Sequence, residues 1–146
     1  MDYKKAGAFI CHFILIPKTR ILPEKLPGFW KNAFSVIKRT GPKLCFCVTG
    51  DCLGPYVGYR LSQYQIPGIF VYGTLNQPVH AVNLSHITDS IASAHPSALV
   101  IAIDASLGEK RHLGYVSIGN GSLYPGAAVQ KDLPPVGDTY ITGIVN

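Results

Sequence analysis

The feature that most constrains this chain is the order of its apolar runs. KLCFCV (43–48), GIFVYG (68–73) and SALVIAI (97–103) are short and continuously apolar, and each is bounded by turn-forming residues. Such runs read as strands covered on both faces. Between them lie segments of helical period. Pro55 suits a first helical turn, with Val57, Leu61 and Tyr64 on one face. Asn83 reads as an N-cap, followed by Leu84, Ile87, Thr88 and Ile91 on one side, and His95-Pro96 ends that helix. Strands that alternate with helices imply parallel pairing, because parallel neighbours need a crossover. The expected fold is therefore α/β: three layers, α/β/α, around a mainly parallel sheet. GYVSIG (114–119) and TYITGIV (139–145) supply two further strands, joined by a Gly/Pro-rich passage.

Upstream, Leu26, Phe29, Trp30, Ala33, Phe34 and Ile37 follow one helical face, and Gly41-Pro42 stops it. The organisation expected is a leader of uncertain structure over 1–23 and a single domain over 24–146. The last strand ends one residue before the chain does, so a C-terminal shortening is expected. At 146 residues the chain can bury a core without disulfide or metal support.

The net charge of +5 raises the question of nucleic acid. Nine of the 13 Lys and Arg residues lie at or before Lys43, scattered from Lys4 onward, which reads as a solvated basic face rather than a nucleic-acid site. AGAFICHFILI (6–16) has the outline of a signal peptide or anchor. It is too short to span a bilayer, contains His12, and is followed by Lys18 and Arg20. Neither a membrane nor a nucleic acid is the expected partner. Cys45 and Cys47 alternate onto one side of a strand, where they are poorly placed to bridge each other. With Cys11 and Cys52 they read as free thiols in a reducing cytoplasm.

In open α/β sheets the ligand crevice lies beyond the carboxyl ends of the strands. Asp51 follows the first strand by a two-residue turn and Asp104 directly follows ALVIAI. If their strands are neighbours, the two carboxylates can converge, one acting as a base on water while the other donates a proton, or both holding a metal. Either residue alone reads more readily as a helix cap, and it is the pair that points to function.

TGDCLGPYVGYRL (49–61), GTLNQPVHAVNL (73–84), IDASLG (103–108) and LYPGAAVQKDLPPVGDTYITGIVN (123–146) closely resemble the YyaC-type sporulation proteins of endospore-forming bacteria. That family is in turn similar to the germination endopeptidase that degrades small acid-soluble spore proteins, and more remotely to the hydrogenase maturation endopeptidases. The resemblance implies a phosphorylase/hydrolase-like fold and a peptidase-like domain in the cytoplasm of the mother cell or forespore. It implies a small protein or peptide substrate. In the germination enzyme two aspartates form the proposed pair, in D-x-L-G-P and I-D-A motifs. Asp51 in DCLGP and Asp104 in IDA occupy those positions. Gly50, Leu53 and Gly54 would shape the turn presenting Asp51, and Gly126, in YPGAAV, would let a facing loop approach.

YyaC-type proteins usually carry an insertion resembling G-T-D-R-S before the T-G-D turn, whereas here Val48 runs straight into Thr49. The nickel-recognising histidine of the maturation enzymes has no counterpart, since His112 follows Asp104 by only eight residues. Neither a metal nor a cofactor is expected. Two other readings stand beside the aspartate pair. GDCLG (50–54) has the G-x-C-x-G form of a nucleophile elbow, with Cys52 as nucleophile and His80 or His112 as base. A spore-assembly or regulatory protein could also keep such a fold without activity.

Overall fold

The computed structural model describes residues 43–50, 52–126 and 133–145. The leader over 1–23, the helix expected from Leu26, and Cys11 lie outside the described residues. The expected strands and helices downstream of Lys43 all form. In chain order they are β1 (Leu44–Val48), α1 (Leu53–Ser62), β2 (Ile69–Tyr72), α2 (Leu84–Ala94), β3 (Leu99–Leu107), a single 3₁₀ turn (Lys110–His112), β4 (Val116–Asn120) and β5 (Thr139–Val145). The fold is α/β. Five strands make one sheet in the order β2-β1-β3-β5-β4. β1 pairs in parallel with β2 and β3, and β3 with β5, while β4 runs antiparallel to β5 at the edge.

Strand alternation sorts the apolar residues into two clusters. Cys45, Cys47 and Ala102 pack with Leu84 and Ile91 of α2 and with Val79 and Val136 from the connecting segments. Leu44, Val48, Ile101 and Ile103 pack with Val57 and Leu61 of α1. Since i and i+1 in a strand face opposite ways, Val48 and Cys47 belong to opposite sides of the same sheet. The continuous apolar runs follow from this, because both faces of β1 and β3 are buried.

α1 lies unusually close to the strand ends. A Cβ on Gly54 would collide with the Thr49 carbonyl, and one on Gly58 with the Gly73 carbonyl. Gly54 therefore seats the helix on the carboxyl end of β1. Pro55 falls in the first helical turn, as expected. Tyr64 lies beyond the last turn and is exposed.

Three local expectations change. Asn83 precedes α2, but its side chain does not cap it. Its Oδ1 accepts from the His80 N–H at 2.8 Å and its Nδ2 donates to the Pro78 carbonyl at 3.0 Å, so the amide closes the preceding loop. β3 does not stop at Ile103 but continues to Leu107, because β5 pairs with it over that whole stretch. β4 begins at Val116 rather than Gly114. No helix among the described residues is long and apolar enough to cross a membrane.

Candidate functional site at the carboxyl edge of the sheet

From β1 the chain moves outward to β2, then returns past β1 to β3 on its other side. The gap between β1 and β3 is thus the point where the winding reverses, and ligand crevices form outside the strand ends at such points. The neighbour condition set by the sequence holds, with Val48 and Ile103 in register. Just beyond them, Thr49 donates its N–H to the Ile103 carbonyl at 2.8 Å, the last rung tying the two strands.

The chain leaves the sheet at Gly50. Its φ of +95° lies where side-chain-bearing residues are strained, so glycine permits the turn. A Cβ at Gly50 would stand 2.6 Å from Oδ1 of Asp104. The turn backbone therefore lies directly against the Asp104 carboxylate. Asp51, the next residue, lies outside the described residues.

Asp104 stands inside β3, on the α2 side of the sheet, half-buried. Its Oδ1 accepts the Ala105 N–H at 2.8 Å. That donor points toward the β1 side of β3, where β1 has already turned away, so the carboxylate satisfies the first ladder position left open. The charge is felt two strand positions away. Burial, then the neighbouring Cys45, then Asp104 push the buried Cys47 thiol up to about 12. Cys47 is consequently a neutral core thiol rather than a nucleophile.

Leu53 opens α1 and reaches across to β5, where a Cβ on Gly143 would collide with its side chain. It thus anchors the start of the helix to the sheet. Gly126 has φ +74°, but residues 127–132 after it lie outside the described residues, as does the loop it was expected to bring close. Cys52 is exposed immediately before α1. Its side chain has no hydrogen bond to His80 or His112 among the described residues. No cluster of three His, Cys, Asp or Glu side chains among the described residues is arranged to hold a metal.

Two residues of this region were missed from the sequence. Parallel pairing sets Thr142 of β5 beside Asp104, and antiparallel pairing sets Ser117 of β4 beside Thr142. Both are buried. The signal was available as hydroxyls inside otherwise apolar strands.

A separate cavity of about 290 Å³ opens at the opposite, amino edge, lined by Thr88, Ile91, His95, Val100, Val136 and Asp138 among others. It contains none of the residues expected to act. His95 serves there as a pin, its Nε2 2.9 Å from the Tyr72 hydroxyl and its ring 4.0 Å from that of Phe70.

Residues 44–146 match the family described as Protein of unknown function (DUF1256), which covers every described element. The chain belongs to the DUF1256 family. It is 54% identical over 98 residues to "Uncharacterized protein YyaC" of Bacillus subtilis (strain 168). The match covers 67% of this chain and 48% of that relative, so the chain spans about half the relative's length. No solved structure matches the chain significantly.

Proposed function

We propose that this DUF1256 protein is a sporulation-associated endopeptidase in which Asp51 and Asp104 share acid–base duty around a water. The contact between Gly50 and the Asp104 carboxylate carries the reading. Asp51 is bonded to Gly50, and consecutive Cα atoms are only about 3.8 Å apart, which supports pairing the two aspartates. The position of Asp104 where the sheet reverses its winding supports the same conclusion.

Two nearby carboxylates do not ionise independently, which leaves one charged and one protonated over a broad pH range. The charged member takes a proton from water as the oxygen adds to the substrate carbonyl. The protonated member then gives its proton to the leaving amide nitrogen as the C–N bond breaks. The substrate is a small protein, of the kind packed in spores, met in the cytoplasm of a spore-forming cell. The fold that carries this site is a three-layer α/β/α sandwich of hydrolase type, with α1 and α2 as its outer layers.

The test is incubation of the full chain with small acid-soluble spore proteins, followed by mass spectrometry of the products. Wild-type cleavage is expected, with loss in both Asp51→Asn and Asp104→Asn and retention in Cys52→Ala. Loss only in Cys52→Ala would transfer the chemistry to the thiol. Absence of wild-type cleavage would leave an assembly or regulatory protein on a peptidase-like fold.

A further inference from the structure

The strand register assembles a polar row that the aspartate pair does not account for. Asp104 on β3, Thr142 on β5 and Ser117 on β4 are lateral partners, and laterally paired residues point to the same face of a sheet. Neighbouring strands are roughly 4.8 Å apart, and no direct hydrogen bond joins the three side chains among the described residues, so a single water between neighbours is what would link them.

Burial makes the row unusual. Ser117 and Thr142 keep 5% and 7% of their surface exposed, and the Ser117 hydroxyl is buried with no hydrogen-bond partner among the described residues. Leaving a buried hydroxyl unpaired is costly, whereas apolar side chains of the same shape would be tolerated at both positions. The polar neighbour that the register gives Ser117 is Thr142, and the one it gives Thr142 on the other side is Asp104. A threonine hydroxyl has one proton and two lone pairs, so across bridging water it can accept from the Ser117 side while donating toward the carboxylate. Tyr140 flanks the row two residues along β5, its ring lying over Gly119 of β4, where a Cβ would collide with it.

We propose that Thr142, backed by Ser117, is a positioning residue for Asp104, holding its carboxylate in the charged, hydrogen-bond-accepting state. This rests on the reading of Asp104 as an acid–base group, but not on the identity of any substrate. The carboxylate accepts the Ala105 N–H, the neutral Cys47 thiol lies on the adjoining β1, and the Tyr140 phenol stands two residues before Thr142 on β5, over Gly119 of β4. Asp51 follows the adjoining turn in the chain.

Carboxyl-carbon NMR titration of the full chain reads Asp104 itself, with Asp104→Asn identifying its signal. A hydroxyl that donates to a carboxylate favours the charged form, so Thr142→Val is expected to raise the Asp104 midpoint by about one pH unit. Thr142→Ser restores the hydroxyl and should restore the midpoint. Ser117→Ala, which removes a single oxygen and is the gentler variant should Thr142→Val not fold, is expected to shift the midpoint upward by less. An unchanged midpoint in both Thr142→Val and Ser117→Ala would overturn the proposal, as would an equal shift in Thr142→Ser, which would assign the effect to shape. Titration does not depend on cleavage, so failure here is distinguishable from failure of the peptidase reading.

Discussion

Substituting Gly50 by alanine tests the contact on which the candidate site depends, and the molecule supplies its own control. Gly50 and Gly121 have nearly the same backbone conformation, with φ of +95° and +97°, but a Cβ at Gly121 would meet nothing within 4 Å. Gly121→Ala therefore measures backbone strain alone, about 1–2 kcal/mol for a left-handed residue bearing a Cβ. Gly50→Ala incurs the same strain and also displaces Asp104 Oδ1, the oxygen that accepts the Ala105 N–H. Hydrogen bonds to charged groups contribute about 1.5–3 kcal/mol, and the half-exposure of Asp104 favours the lower end. Gly50→Ala should thus exceed Gly121→Ala by about 1.5 kcal/mol, or roughly 3–6 °C in Tm for a chain of this size. Urea unfolding of the full chain measures both losses. Repeating Gly50→Ala in an Asp104→Ala background should bring its cost down to that of Gly121→Ala, since the colliding oxygen is gone. Equal losses for the two glycines in the wild-type background would refute the close approach of turn and carboxylate.

Two other outcomes follow from the packing. The Cys47 thiol keeps its proton up to about 12, against an ordinary 9.0, and burial raises Cys45 and Tyr72 as well. The unfolded chain therefore binds fewer protons than the native one above about pH 9, so stability should fall with rising pH from there toward 12, visible as a declining urea midpoint; Cys47→Ala should flatten the decline. Gly143→Ala should destabilise by about 1–3 kcal/mol through its collision with Leu53, and adding Leu53→Ala should recover part of that loss in the same assay.

The strands were legible because burial on both faces writes itself as uninterrupted apolar runs, as in ALVIAI. Asp104 was legible for the same reason, being the residue at which that run breaks. Its place inside β3 was not, because the strand's last four residues owe their conformation to β5, some forty positions away in the chain. Asn83 misled for a local reason: an asparagine before a helix can serve the helix or the loop, and Pro78 and His80 drew it to the loop. Gly54 and Leu53 were recognised as parts of a motif, yet their contacts, with Thr49 and Gly143, depend on how closely α1 meets the sheet. The pairing of Thr142 and Ser117 was beyond a one-dimensional reading, since register between β4 and β5 decides it.

The continuation of β3 past the end of β1 bears on how this architecture could diversify. A carboxylate carried by a loop moves whenever the loop is lengthened or recut, but Asp104 is tied through β5 to the middle of the sheet. The surrounding turns can therefore change length and composition while the Asp104 carboxylate keeps its place.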